Sequence, residues 1–196
     1  MLFISEQIVR DFYVQYQSMT MEGEYLENGG EIKKDWTAYC VRDLLEVARH
    51  IVGADDTVTF TEAAAVHEVL SVFGCNVNMN NFKALAETPV CKKSESKVLI
   101  SYADASHVKY NYYIKTGRPV DLDVVFEDFD KFLWMWTACV LEIVVADCSF
   151  KEQEMKLMTE YLAEISTYVT AKFGKLYYIS DNISQLLAQA QKLSCD

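Results

Sequence analysis

A nine-residue motif occurs twice in the sequence and constrains the fold more than any other feature. Its copies are ADDTVTFTE at residues 54–62 and ADCSFKEQE at residues 146–154, and both fit the pattern A-D-x-[ST]-[VF]-x-x-x-E. Each copy follows one long apolar segment and precedes another. The motif therefore predicts the same acidic turn between two helices in each half of the chain.

The two copies are 92 residues apart, and apolar positions around them keep that offset. The aligned pairs are Leu44 with Trp136, Ala48 with Val140, Ile51 with Ile143, Val66 with Met158, and Leu70 with Leu162. An internal repeat of a helix-turn-helix unit explains this register. Chance similarity is the alternative, because apolar residues of any two amphipathic helices align easily.

The composition predicts a mostly helical protein. The 196 residues are enough for one domain with a large core, and 51% of them are hydrophobic. Only 7 glycines and 2 prolines interrupt the chain, which favours long helices over strands and turns.

The net charge of −11 argues against DNA or RNA as a partner, because it repels phosphate backbones. No long basic stripe offsets it. Solubility is the simplest role for this charge, and a basic partner or a bound metal is the alternative.

The cysteines and the apolar segments indicate a cytoplasmic protein with reduced thiols and no transmembrane segment. Six cysteines are scattered without a C-x-x-C pair, and no secretion signal is evident at the amino terminus. The longest apolar stretch, residues 132–146, includes Glu142 and is shorter than the roughly 20 residues that cross a membrane. Peripheral membrane association stays open.

Periodicity predicts an all-α bundle of about eight helices in a single domain, residues 1–196. The predicted helices cover residues 6–20, 35–52, 60–73, 78–86, 122–145, 150–172 and a last one from about 181, with residues 22–30 as a break after the first. We divide the domain into an N-terminal helix (1–30), a first half (31–90), a connecting segment (91–120) and a second half (121–196).

The connecting segment supports two predictions. Residues 98–114 alternate in polarity as the arms of a small β-hairpin would. Leu99, Tyr102, Ser106, Tyr110 and Tyr113 also fall near one helical face, before a Gly-Arg-Pro stop, and we favour the helix.

The acidic turns could hold a hard cation such as Ca²⁺ or Mg²⁺, which prefers carboxylate oxygens. The candidate ligands are Asp55, Asp56, Glu62, Asp147, Glu152 and Glu154. Neither turn has the glycine of an EF-hand loop. The favoured alternative is structural, because residues 59–62 and 149–152 both spell a capping box, in which hydroxyl and glutamate satisfy free amides at a helix start.

No catalytic motif occurs, so we predict that the protein is not an enzyme. His50, His67 and His107 belong to no H-E-x-x-H, and G-x-S-x-G, Walker and dinucleotide-binding patterns are absent. The tyrosines at 110, 112 and 113 have no basic surround and are assigned no site.

The doubled motif resembles that of the TerB-like family, which is associated with tellurite resistance and related to the N-terminal region of the co-chaperone DjlA. The match is carried by Ala54, Asp55 and Glu62, and by Ala146, Asp147 and Glu154. It covers roughly residues 35–87 and 122–195. The family usually has glycine after the motif's Asp, where this chain has Asp56 and Cys148.

The resemblance implies an all-helical interaction or scaffold module in stress or envelope-associated systems, with divalent metal bound through the acidic turns. We expect an unknown protein partner and no cofactor other than Ca²⁺ or Mg²⁺. The alternative function is a sensor whose helices reorient when the acidic turns bind a divalent cation. The sequence does not define the oligomeric state.

Overall fold

The chain is described by a computed structural model over residues 3–54, 58–75 and 95–194. In these ranges it forms seven helices and no strand. They are α1 (Glu6–Glu27), α2 (Trp36–Val52), α3 (Phe60–Ser71), α4 (Lys97–Lys115), α5 (Leu122–Val144), α6 (Glu152–Phe173) and α7 (Asp181–Ser194). The all-α prediction is confirmed, whereas the helix predicted at residues 78–86 lies outside the described residues.

Helix α5 is the centre of the bundle and contacts α1, α2, α3, α4 and α7. From Ala138 to Val144 every residue of α5 is buried, so this segment has no solvent face. A helix segment that is buried all round must be enclosed by others, and the neighbouring helices enclose this one. Helix α6 packs against α2 and α4.

Helix α1 does not break at residue 22, and the predicted end at residue 20 is wrong. It continues through Gly23 to Glu27. Gly23 faces α4, where a Cβ at its position would lie 2.7 Å from the Cβ of Ala105. The glycine is thus a point of close helix packing, and the turn begins after it, where Gly29 and Gly30 have positive φ.

Residues 97–115 of the connecting segment form helix α4, and the hairpin alternative is wrong. Ser96 caps α4 through its hydroxyl, which accepts the N–H of Leu99 at 3.2 Å. Gly117 has φ of 79° just after the helix ends. Buried Val98, Leu99, Tyr102 and Ala103 make a stripe of helical period that packs inward.

A buried carboxylate ties the start of the described chain to the central helix. Glu142 of α5 is 3% exposed and accepts the backbone N–H groups of Phe3 at 2.7 Å and Ile4 at 3.0 Å. These amides precede α1 and have no helical partner of their own. Glu142 therefore satisfies them and fixes where α1 begins.

Candidate functional site

The first acidic turn ends in a capping box, as predicted. Thr59 is the N-cap of α3, and its Oγ1 accepts the backbone N–H of Glu62 at 3.2 Å. In return, Oε1 of Glu62 accepts the backbone N–H of Thr59 at 2.9 Å. Glu62 is only 2% exposed, and its carboxylate caps the start of α3.

The second turn is built differently from the prediction, and the box predicted at residues 149–152 is wrong. Helix α6 begins at Glu152, and the backbone N–H of Lys151 donates to Oε1 of Glu154 at 2.9 Å. Lys151 is the N-cap residue, and Ser149 lies two residues before it in the turn, where its hydroxyl and its N–H both donate to Oδ1 of Asp147, at 2.8 and 3.0 Å. This hydrogen-bonded turn moves the helix start two residues downstream.

The corrected start brings the two turns into the same register. Helices α2 and α5 end at Val52 and Val144, and α3 and α6 begin at Phe60 and Glu152, so both boundaries keep the offset of 92 residues. Glu62 and Glu154 occupy the same position in their helices, and each is 2% exposed. Both members of all the aligned apolar pairs are buried.

The structure does not bring the predicted cation ligands together where it describes them. Asp55 and Asp56 lie outside the described residues. Glu62 and Glu154 serve as caps at different helix starts, and Asp147 accepts from Ser149. In residues 3–54, 58–75 and 95–194, no three His, Cys, Asp or Glu side chains are placed to hold a metal ion. The cation site stays a prediction.

A groove of about 550 Å³ lies between α1, α5 and α7, and sequence reasoning did not find it. Its lining residues are Gln15, Asp128, Asp130, Lys131, Phe132, Trp134, Met135, Asn182, Gln185, Leu186 and Gln189. A cavity of this size holds a small ligand or a short piece of chain. The only sequence signal is the spacing of residues 182, 185 and 189 on one face of α7, which is also typical of a solvated helix face.

We name this cavity the α5–α7 groove. Hydrogen bonds hold two aspartates of α5 in place along its wall. The hydroxyl of Tyr102 donates to Oδ2 of Asp128 at 2.7 Å, and Nε2 of Gln15 donates to the same hydroxyl at 2.8 Å. Asp130 accepts the hydroxyl of Tyr177 at 3.0 Å. Two carboxylates thus lie at defined positions along one edge.

Burial and the nearby Asp128 charge raise the pKa of the Tyr102 phenol. Burial and the Asp130 charge do the same for Tyr177. Both phenols therefore stay neutral and keep donating to the carboxylates at ordinary pH.

Two of the histidines are held by packing. Nδ1 of His50 lies 2.8 Å from the hydroxyl of Tyr161, a contact between α2 and α6. His107 packs edge-on against Phe173, and its burial and the charge of Lys172 lower its pKa, although Asp104 opposes this. Each of these two rings thus contributes to contacts between helices.

Among the described residues, no helix is both long and apolar enough to span a membrane. Comparison with protein-family models, with curated proteins and with solved structures finds no match to this chain.

Proposed function

We propose that the protein is a non-enzymatic helical interaction module that binds a short, basic protein segment in the α5–α7 groove. The observation that carries the proposal is the groove itself, which combines carboxamides, carboxylates and apolar side chains. Such a combination suits the backbone and side chains of a peptide.

The carboxamides suit a peptide backbone. Asn182, Gln185 and Gln189 line the α7 side of the groove, and each side chain offers both donors and an acceptor. They span about 10 Å along the helix at 1.5 Å per residue, which matches about three residues of extended chain. A peptide strand laid along α7 could therefore pair its N–H and C=O groups with this row.

The charge of the opposite wall favours a basic segment. Asp128 and Asp130 line the α5 side, and the whole chain carries −11. Lys131 is the one lining residue of opposite sign, and its Nζ lies 3.7 Å from Oε1 of Glu127. Trp134 and Met135 add apolar surface next to these charges, where the stem of a lysine or arginine can pack.

The experiment uses fluorescence polarisation with a library of labelled hexapeptides that varies net charge at constant length. We expect the basic peptides to bind. The double variant Gln185→Arg/Gln189→Arg should weaken their affinity at least about tenfold, through charge repulsion and lost hydrogen bonds. The matched control is Ser184→Arg/Ala188→Arg, which adds the same charge to exposed positions of α7 outside the groove. Equal loss in both variants, or a preference for acidic peptides, would contradict the proposal.

We also propose that the two helix-turn-helix units are repeats of a TerB-like kind and that the module acts in stress or envelope-associated systems. The support is the shared offset of helix ends, helix starts and buried glutamates in the two turns. Equivalent substitutions in the full chain test the repeat. Glu62→Ala and Glu154→Ala should lower the free energy of unfolding by similar amounts, about 1 kcal/mol each, and a loss confined to one of them would count against it.

A further inference from the structure

A second cavity, of about 470 Å³, lies between α1, α2, α4 and α6, away from the α5–α7 groove. Its charged lining residues are Glu24, Glu27, Lys34, Asp104 and Lys172, beside the indole of Trp36. We name it the Glu24 pocket. A cavity with charges of both signs suits a ligand that itself carries both.

Glu24 supplies a buried carboxylate of which only one oxygen accepts hydrogen bonds of ordinary geometry. The residue is 6% exposed, and its Oε1 accepts the backbone N–H groups of Lys33 and Lys34, the latter at 3.0 Å. Oε2 is buried without a hydrogen bond of ordinary geometry to any described residue. A buried carboxylate oxygen in that position is costly unless a donor reaches it.

The surroundings keep this carboxylate ionised. Burial on its own raises the pKa of Glu24, but the N–H groups of Lys33 and Lys34, the interaction of the Trp36 indole N–H with the carboxylate, and the Lys34 charge together hold it below the ordinary value. The indole Nε1 of Trp36 is also buried, and it does not reach ordinary hydrogen-bond geometry with a described residue. The pocket therefore holds an anionic acceptor that the indole satisfies only in part.

Three of the other charges form a closed pair and an available cation, and Glu27 adds a second, exposed carboxylate. Lys172 lies 3.3 Å from Oδ1 of Asp104, which also accepts the hydroxyl of Tyr168. Nζ of Lys34 lies 5.3 Å from the centre of the Trp36 ring, next to the Glu24 carboxylate. Glu24 and Lys34 are thus the two opposite charges that a ligand would meet together.

We propose that the Glu24 pocket binds a free α-amino acid, with its ammonium on Oε2 of Glu24 and its carboxylate on Nζ of Lys34. The two charged groups of an α-amino acid are attached to one carbon and can meet neighbouring opposite charges. Ala105 and Val108 line the same cavity and offer an apolar wall to the ligand's side chain. The cavity volume is within the range of small-molecule sites.

The three tryptophans allow a direct test. Trp36 lies in the Glu24 pocket, Trp134 in the α5–α7 groove and Trp136 in the core, so their indole N–H signals in ¹H–¹⁵N spectra report on separate places. The probes are pools of the natural L-amino acids, each at about 1 mM. We expect at least one pool to shift the Trp36 signal and to leave the Trp136 signal in place.

Compounds that carry only one of the two charged groups, together with variants of the pocket, test which groups the binding depends on. Butylamine and butyrate, tested separately at the same concentration, should each shift the Trp36 signal far less than the amino acid does. Glu24→Gln keeps the shape and should weaken binding at least about tenfold. Glu22→Gln on the same helix is the control, because Glu22 pairs with Lys109 at 3.1 Å and does not line the pocket. If Glu24→Gln does not fold, Val108→Phe narrows the pocket without changing a charge and should also weaken binding.

No Trp36 shift with any pool at about 10 mM would overturn the proposal. An equal shift by butylamine alone, or unchanged binding in both pocket variants, would also overturn it. The Trp134 signal reports on the α5–α7 groove, so these outcomes do not depend on whether a peptide binds there.

Discussion

The carboxylate of Asp43 in α2 accepts the backbone N–H of Val98 in α4 at 3.0 Å, across 55 residues of sequence. The same carboxylate accepts the N–H of Lys97 at 2.8 Å and the hydroxyl of Ser96 at 2.6 Å. Asp43 is 3% exposed, so a buried negative charge lies at the positive end of the α4 dipole. This arrangement joins the first half of the chain to the connecting helix.

Asp43→Ala should lower the free energy of unfolding by about 3 kcal/mol, because it removes charge-assisted hydrogen bonds and leaves buried amides without a partner. Urea denaturation followed by circular dichroism measures the change. The control is Asp35→Ala, since Asp35 caps α2 from an exposed position through the N–H of Ala38 at 3.1 Å. It should cost about 1 kcal/mol, and equal losses in the two variants would contradict the role of Asp43.

Glu62 and Glu154 should act as caps and not depend on a cation. Replacing either with Ala should lower stability by about 1 kcal/mol, whereas Gln should have a much smaller effect because its amide oxygen can still accept the N-cap N–H. Thermal melts with EDTA and with added Ca²⁺ measure both points. We expect the same ranking in each buffer.

Calorimetry with Ca²⁺, Mg²⁺ and Mn²⁺ examines the alternative sensor function directly. A cation site at the turns should lose affinity in Asp55→Ala/Asp147→Ala and in the Gln variants, because each removes a negative ligand. Binding tighter than about 1 mM that disappears in these variants would favour the sensor over the structural role.

Cys148 has a backbone conformation that favours glycine. Its φ is 61°, in the left-handed region, where a non-glycine residue costs about 1–2 kcal/mol. Cys148→Gly should therefore raise the free energy of unfolding by about 0.5 kcal/mol, after the greater chain entropy of glycine in the unfolded state is subtracted. Cys148→Ala keeps the Cβ and should show no such gain in the same denaturation experiment.

Buried tyrosines should make the fold sensitive to alkaline pH. Burial raises the pKa of Tyr102, Tyr161 and Tyr177 above the value of about 10 that tyrosine has in an unfolded chain. The neutral phenols therefore contribute fully to the stability of the fold below a pH of about 10. This contribution is lost as the pH rises through the raised pKa values that the phenols have in the folded protein. Tyrosinate absorbance should show a late phase that coincides with the loss of helical circular dichroism.

A matched variant identifies this late phase. Tyr177→Phe removes one of the buried phenols and keeps the ring contacts with Phe126 and Phe129. Its late phase should be smaller in amplitude. A single phase centred near pH 10 in the unsubstituted protein would show that these phenols are accessible.

The long helices could be predicted from sequence because their signals are local. The period of apolar residues and the scarcity of glycine and proline located α2, α3, α5 and α6 to within a few residues. Thr59 and Glu62 also lie three residues apart, so their capping box was visible in the sequence.

The errors came from contacts that sequence spacing does not show. Gly23 was interpreted as a helix break, but close packing against Ala105 keeps it within α1. Ser149 was interpreted as a cap, but it belongs to a turn with Asp147, and the helix begins only after Lys151. Both cavities were missed for the same reason, because residues far apart in sequence line them.

The bond between Glu142 and the amides of Phe3 and Ile4 sets an order of events during synthesis. Phe3 and Glu142, which this hydrogen bond joins, are 139 residues apart in the sequence. At about 5–20 residues per second, the ribosome therefore adds Glu142 roughly 7–28 s after Phe3. Helix α1 can form during that interval, but its start has no carboxylate to hold it. The earliest described segment of the chain is therefore fixed in place only after the central helix emerges, which leaves it open to chaperones in the meantime.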